Sequence, residues 1–232
     1  MVVRQKNKFM DSMYMQMDSL FLVLAAFLVS AGSLFLLLRD CKKNIEDFKI
    51  SKNFVIYSAG MIILSIGVSF LFAKVYISND FLFSLKRIVL LSVMWPIAYT
   101  DITSYRIPNV FIIYGLICRG IILIWEFFVL GLSIWIILLP ELIASVALVV
   151  AALLCAFIIK NSIGFGDIKL FVVMGLMQGL DGIWGSIFAS LIISFIISAI
   201  LLISKKKTRK DTIPFGPALV AGTFISICLT GM

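Results

Sequence analysis

The sequence predicts an all-α fold, a polytopic transmembrane helical bundle. Of its 232 residues, 62% are hydrophobic and only 14% are charged, and the mean hydropathy is +1.14. Water-soluble domains have about 45–50% apolar and about 25% charged residues, so lipid must be the solvent for most of this chain. No hydrophilic stretch is long enough to fold separately. We therefore expect residues 1–232 to form one integral membrane domain.

Apolar runs predict about eight spans, or seven if the short sixth run does not cross. Helices are expected throughout, because a helix satisfies its own backbone hydrogen bonds in lipid. The first run follows Arg4, Lys6 and Lys8, as in a secretory signal peptide. It is about 20 residues long, however, which is enough to span, so we expect it to be retained. The predicted spans are 20–38, 54–77, 81–99, 110–130, 133–159, 170–180, 183–203 and 213–232.

The basic residues predict an orientation. With eight spans, thirteen Lys and Arg side chains fall on one face and six on the other, with Arg119 inside a span. The positive-inside rule places the face with thirteen in the cytoplasm and both termini outside. Lys86 and Arg87 fall inside the third run. A helix that starts nearer Ile88 would reach about Ile107 and draw Asp101 into the membrane.

Residue types exclude several kinds of chemistry. The chain has no histidine, which removes His-based triads and His metal sites. Its cysteines form no CxxC pair, so the sequence predicts neither a metal site nor a cofactor. The net charge of +8 is expected to set topology and to contact anionic headgroups of membrane lipid, not nucleic acid. The four isolated cysteines are Cys41, Cys118, Cys155 and Cys228.

Four acidic residues lie in or beside predicted spans, where carboxylates are costly and often functional. Glu126 and Glu141 flank the outer turn between the fourth and fifth spans, and we expect them to reach water there. Arg119 lies two helical turns before Glu126 on roughly the same face, which predicts a buried or cavity-lining pair. The other two are Asp101 and Asp167.

Asp101 and Asp167 stand in segments rich in residues that shape the backbone. Pro108 ends the element after Asp101, because a proline disfavours the helical conformation of the residue before it. Gly164 and Gly166 precede Asp167 and permit a close approach that a side chain would block. A substrate strand could therefore lie with its carbonyl near Asp167. Both aspartates are predicted at the cytoplasmic ends of spans.

Two carboxylates brought together can share one proton, so that one activates water while the other polarises a carbonyl. That chemistry needs neither histidine nor metal. Two alternatives remain open from the residues alone. The aspartates can be interfacial groups that close a loop and cap a helix. They can also bind a proton or cation in a transporter or channel, although both lie near one face and not at the midplane where transporter sites commonly sit.

Three segments, in order, resemble the type IV prepilin peptidase family of GxGD membrane aspartyl proteases. They are Asp101 with Ile107-Pro108-Asn109, then Gly164-Phe165-Gly166-Asp167 with Lys169, then Ile213-Pro214-Phe215-Gly216-Pro217-Ala218. The resemblance covers roughly residues 88–232, which we expect to be the catalytic core. It implies catalytic roles for Asp101 and Asp167. The substrate-binding residues expected with them are Gly164, Gly166, Arg106, Pro108, Asn109 and Lys169.

The resemblance implies an endopeptidase that cleaves short basic leaders from type IV prepilin-like precursors at the cytoplasmic face. A non-catalytic member that only binds such precursors is a further alternative. Longer bacterial members have a larger cytoplasmic domain between the first two spans, often with paired zinc-binding cysteines, and they also methylate the new N-terminus. Here that place holds only residues 39–53 with the single Cys41. The resemblance therefore does not extend to zinc or to N-methylation.

Overall fold

The computed structural model describes residues 2–44, 50–76, 80–158, 163–208 and 212–231, with side chains from residue 17 onward. These ranges are helical and contain no strand. The predicted all-α fold is therefore confirmed. The elements are α1 (Val2–Asn44), α2 (Lys52–Lys74), α3 (Phe81–Ser104), α4 (Asn109–Leu130), a 3₁₀ turn (Gly131–Ile134), α5 (Trp135–Ile158), α6 (Phe165–Ile203) and α7 (Gly216–Thr230).

Five helical stretches in the described ranges are long and apolar enough to cross a membrane, so the chain is a multi-pass membrane protein. They are Met17–Asn44, Lys52–Lys74, Phe81–Ser104, Asn109–Ile158 and Phe165–Ile203. The number is lower than the predicted eight because two pairs of predicted spans are each joined into one helical stretch, and the last predicted span is shorter than expected. The fourth and fifth predicted spans join through the 3₁₀ turn, and the sixth and seventh both lie in α6. The last predicted span corresponds to α7, which has only 15 residues.

Helix α6 reverses direction at Gly179. This residue has φ 64° and ψ −170°, a conformation outside the helical region that glycine adopts readily. Gln178 Nε2 donates to Ser186 Oγ across the bend at 2.7 Å. The start of α6 lies beside the end of α3, where Gly166 faces Ile107. Residues 165–178 and 180–203 are therefore antiparallel halves, as the separate runs 170–180 and 183–203 predicted.

Small residues let the halves of α6 pack closely against their neighbours. A Cβ added at Gly175 would overlap the backbone of Ser145 in α5. A Cβ added at Gly222 of α7 would overlap Ser190 in the second half of α6, and Ser190 Oγ also donates to Leu219 O at 3.2 Å. Between helices in lipid, such contacts supply packing that the hydrophobic effect cannot. They fix both halves of α6 within the bundle.

Helix α3 lies at the centre of the bundle and brings Asp101 to one end of it. All residues from 84 to 94 are buried, including Lys86 and Arg87. The predicted start of this span at residue 81 is confirmed, because α3 begins at Phe81 and ends at Ser104, so the alternative of a helix that starts nearer Ile88 does not apply. Lys86 and Arg87 can be buried within α3 because Lys86 pairs with buried carboxylates and Arg87 donates hydrogen bonds to backbone carbonyl groups.

Candidate active site at the end of helix α3

Asp101 lies in the last turn of α3 and is 7% exposed. Its Oδ2 accepts the backbone N–H of Gly216, the first residue of α7, at 2.8 Å. The helix ends because Tyr105 adopts a left-handed conformation with φ 50°, and its N–H donates to Asp101 O at 3.0 Å. The carboxylate of Asp101 therefore sits at the N-terminus of α7, where the helix dipole favours negative charge.

Asp167 lies in the first turn of α6 and is half-buried. Its Oδ2 accepts the backbone N–H of Gly164 at 3.3 Å. Gly166, which precedes Asp167, packs against Ile107, six residues after Asp101, so the two aspartates lie at the same end of the bundle. Each carboxylate thus uses one oxygen at a helix N-terminus. Within the described part of the chain, neither Oδ1 atom accepts a hydrogen bond. That leaves one oxygen of each group available to water or to a substrate.

The predicted motif segments contact one another beside the two aspartates. Lys169 Nζ donates to Asn109 Oδ1 at 2.9 Å, which joins α6 to α4. A Cβ added at Gly166 would lie 2.9 Å from Ile107 Cβ. The missing side chain of Gly166 therefore makes room for Ile107. In this structure the contacts of these residues hold the Asp101 and Asp167 segments together.

Two further residues of the predicted substrate-binding set have structural contacts of their own. Arg106 extends towards α1, where its Nη2 pairs with Asp40 Oδ2 at 3.0 Å and its Nη1 donates to Asn44 Oδ1 at 3.4 Å. Pro108 is the N-cap residue of α4, with φ −66°, and is buried. Neither contact involves an aspartate of the candidate site. These contacts of Arg106 and Pro108 fix the loop that follows Asp101.

Gly216 is a site residue that sequence reasoning did not single out individually. It belongs to the third motif segment, and the ring of Phe215 beside it lies 6.4 Å from that of Phe171 in α6. The useful signal is the Gly216-Pro217 pair at the start of an apolar run, since proline is common in the first turn of a helix. A backbone N–H at the start of a helix can bind a carboxylate, but only the fold shows that the carboxylate bound by Gly216 is that of Asp101.

A second polar centre lies at the opposite end of α3. A cavity of about 580 Å³ opens there between α3, α4, α5 and the bend of α6. Glu126 and Glu141 line it and are 0% and 3% exposed. The expectation that they reach water is therefore wrong, because they pair with buried cations. The predicted partnership of Arg119 with Glu126 is confirmed by an Nη1–Oε2 distance of 2.8 Å.

Asp101 and Asp167 form the better candidate for a reactive site. The carboxylates of the second centre are engaged by cations, whereas the aspartates have no ion-pair partner among the described residues. No group of three or more His, Cys, Asp or Glu side chains in the described ranges could hold a metal ion. The arrangement suits chemistry performed by two carboxyl groups and water.

Comparison with known proteins identifies a family and two curated relatives. The model of the type IV leader peptidase family matches residues 88–203, half of the chain, and spans both aspartate segments. The chain belongs to the type IV leader peptidase family. A prepilin leader peptidase/N-methyltransferase of Bacillus subtilis is 29% identical over 139 residues, 60% of this chain and 53% of that protein. One of Xanthomonas campestris is 39% identical over 64 residues, 27% of this chain and 22% of that protein.

The chain spans about half the length of the Bacillus relative and less of the Xanthomonas relative. No solved structure matches it. Family membership therefore rests on the segment from the middle of α3 to the end of α6, which contains Asp101 and Asp167.

Proposed function

We propose that this protein is an aspartic endopeptidase that cleaves leader peptides from type IV prepilin-like precursors at the cytoplasmic face of the membrane. The observation that supports it best is the position of Asp101 and Asp167 at the same end of the bundle, on helices that are far apart in sequence. Family membership supplies the reaction class. The curated relatives are named for prepilins, which supplies the substrate class.

The proposed reaction uses the two carboxyl groups in opposite protonation states. Like charges at short distance disfavour ionisation of both, so the pair holds one proton. The ionised carboxylate takes a proton from water, whose oxygen bonds to the scissile carbonyl carbon. The protonated carboxyl group donates its proton to the carbonyl oxygen. The tetrahedral diol then collapses and its C–N bond breaks. The leaving nitrogen takes the proton that the first carboxyl group removed from water, and a hydroxyl of the diol returns a proton to the second carboxylate.

The substrate is proposed to approach from the exposed side of this end of the bundle. Ile102, Tyr105 and Phe165 expose 54%, 55% and 81% of their surface around the aspartates. This apolar rim would receive the hydrophobic helix of a precursor. Gly164 leaves space near Asp167 for the scissile peptide. Gly166, Pro108, Asn109 and Lys169 would shape the floor of the site through their mutual contacts.

The cytoplasmic placement follows from charge. The aspartate end of the bundle also holds Arg106, Lys169 and Lys207, and Lys207 Nζ lies 3.4 Å from Tyr105 Oη. Lys42 and Lys43 occupy the last turn of α1, which Arg106 ties to the same end. The aspartate end therefore carries described members of the more basic face, which supports a cytoplasmic site under the positive-inside rule.

The test is cleavage of a prepilin-type precursor by the purified protein in lipid nanodiscs. Asp101→Asn and Asp167→Asn should each lower kcat by at least about 100-fold, the low end of what a general acid or base contributes. The matched control is Asp181→Asn, an exposed aspartate at the opposite end, which should cleave normally. Full cleavage by either site variant contradicts the mechanism.

Two other outcomes would favour the alternative functions. Binding of the precursor by the wild-type protein without cleavage indicates a non-catalytic family member. Cation flux that depends on the aspartates, without proteolysis, indicates a transporter.

A further inference from the structure

A closed ring of buried charges lies at the end of α3 opposite to Asp101. Lys86 Nζ is 2.9 Å from Glu126 Oε1 and 2.5 Å from Glu141 Oε1. Arg119 Nη1 is 2.8 Å from Glu126 Oε2, and its Nη2 contacts Glu141 Oε2. No side chain of the four exposes more than 5% of its surface. Each cation thus contacts both acids, and the ring joins α3, α4 and α5.

Arg119 of this ring and the neighbouring Arg87 both bind the C-terminal end of the first half of α6. Arg119 Nε donates to Leu176 O at 2.9 Å. Arg87 Nη2 donates to Gln178 O at 2.8 Å, and its Nη1 donates to Met177 O. These carbonyls are the last three before the bend at Gly179. Carbonyl groups at a helix C-terminus lack intrahelical partners, and cations there also complement the helix dipole.

Arg87 therefore connects the distal ends of the two helices that hold the aspartates, and Arg119 connects the same end of the α6 half to α4. Arg87 is in α3, which ends with Asp101, and it binds the end of the α6 half that begins with Asp167. Residues 167 to 178 span roughly 16 Å at about 1.5 Å per residue. A packed helix moves along its axis as one body, so a shift at Gln178 is a shift at Asp167. The contacts that hold Gln178 also determine where Asp167 lies beside Asp101.

We propose that Arg87 and Arg119 are positioning residues that set the axial register of Asp167 relative to Asp101. The inference rests on the proposed function for its catalytic meaning. Burial alone does not explain the network, since apolar residues of similar volume stabilise a protein as well as buried ion pairs or better. Buried polar groups are best attested as devices that fix register. The guanidinium donors have a fixed planar geometry, so they select particular carbonyls.

The test uses variants that keep the charge and lose the planar donors, Arg87→Lys and Arg119→Lys. Each should lower kcat on a prepilin-type precursor by about 10- to 100-fold, because a misplacement near 1 Å can cost about 100-fold. KM should stay within about twofold. The matched control is Tyr76→Phe, which removes the 2.8 Å bond from Tyr76 Oη to Cys228 O at the same end of the bundle. It should leave kcat unchanged.

A distance measurement tests the register without any substrate. Spin labels at Thr103→Cys and Phe165→Cys, both exposed, would report the separation of the α3 and α6 ends by electron paramagnetic resonance. The four native cysteines are replaced in all variants. Arg87→Lys and Arg119→Lys should shift the interspin distance, and Tyr76→Phe should not. If the wild-type protein does not cleave precursors, the proposed function is contradicted. The interspin distance still tests whether the two arginines set the axial position of Asp167, because it is measured without substrate.

The two readouts also separate positioning from a purely stabilising role. A stabilising role predicts less folded protein and a lower Tm, with normal kcat and normal interspin distance in the folded fraction. That result overturns the proposal. If neither arginine variant accumulates, Glu126→Asp is the second variant, because it keeps the charge of the ring, shortens the partner of Arg119 and leaves both arginines present. A shifted distance in folded Glu126→Asp supports the proposal, and an unchanged one contradicts it.

Discussion

The backbone N–H of Gly216 donates to Asp101 Oδ2 at 2.8 Å, and a Cβ at Gly216 would lie 2.7 Å from that same oxygen. The two facts together explain why a glycine opens α7. The donor must approach the carboxylate closely, and any side chain would meet the group that it holds. The third motif segment thereby contributes a hydrogen bond to the candidate site as well as a helix start.

Gly216→Ala should displace the Asp101 carboxylate and lower kcat on a prepilin-type precursor by about 10-fold or more. The added methyl group should also destabilise the fold by about 1–3 kcal/mol, since it is inserted into a closely packed position. Turnover of the purified variant and its Tm in detergent measure both effects. The control is Gly120→Ala, because a Cβ there meets nothing within 4 Å. Normal turnover by Gly216→Ala would show that the Gly216 contact is dispensable.

Gly166→Ala should lower the Tm because its Cβ would press against Ile107 Cβ at 2.9 Å. Ile107→Ala removes those atoms, so the double variant should regain stability relative to the sum of the single changes. A double-mutant cycle on Tm and kcat measures the coupling, which for contacting residues is about 0.5–3 kcal/mol. Gly166→Val should be worse than Gly166→Ala, because a branched side chain adds more bulk.

A different result would favour direct contact between Gly166 and the substrate. In that case Gly166→Ala keeps the wild-type Tm, raises KM, and is not rescued by Ile107→Ala.

Lys169→Met should weaken the connection between α6 and α4, because it removes the 2.9 Å hydrogen bond to Asn109 Oδ1. Both residues are exposed, so the expected loss of stability is below about 1 kcal/mol and the main effect should be on kcat. Lys169→Arg keeps a donor and should retain most activity. Asn109→Ala should reproduce the effect of Lys169→Met and add little to it. Additive losses in the double variant would show that the two side chains act separately.

Local patterns in the sequence predicted most of the helices and the backbone features that lie beside the aspartates. Apolar runs predicted where α2 to α5 lie, and the runs around residue 180 predicted the reversal at Gly179. Pro108 predicted the end of the element after Asp101, since the restriction that proline imposes is local. The start of α3 at Phe81 agrees with the predicted span for the same reason.

The partners of buried charges could not be predicted, because they depend on how helices pack. Arg119 and Glu126 share a helix, and their spacing predicted their pairing. Glu141 lies on another helix, and its burial against Lys86 depends on the packing of α3 against α5. The same limit applies to Gly216, since no local pattern names Asp101 as its acceptor. Contacts within one helix follow from the sequence, and contacts between helices require the fold.

Glu126→Gln should destabilise the protein by about 3–5 kcal/mol, because it leaves Lys86 and Arg119 with one carboxylate between them in a buried site. The Tm in detergent and the yield of folded protein measure the change. The control is Asp80→Asn, an exposed acid at the same cavity, whose effect should stay within about 0.5 kcal/mol. Equal Tm values for the two variants would mean that the ring contributes little.

Cysteine labelling should show that the aspartate end of the bundle faces the cytoplasm and that the opposite end faces the outside. In a variant without native cysteines, Ile50→Cys and Thr208→Cys should react with an impermeant maleimide only after the cytoplasmic side is opened. Ile50 precedes α2, which follows the α1 end tied to Arg106, and Thr208 follows Lys207 beside Tyr105. Val75→Cys and Leu132→Cys, exposed at the other end, should react from outside.

Labelling of Ile50→Cys and Thr208→Cys from outside would place Asp101 and Asp167 on the outer face and contradict cleavage in the cytoplasm. Labelling of these two positions from different sides would contradict the shared end itself, because both adjoin the loop that follows Asp101.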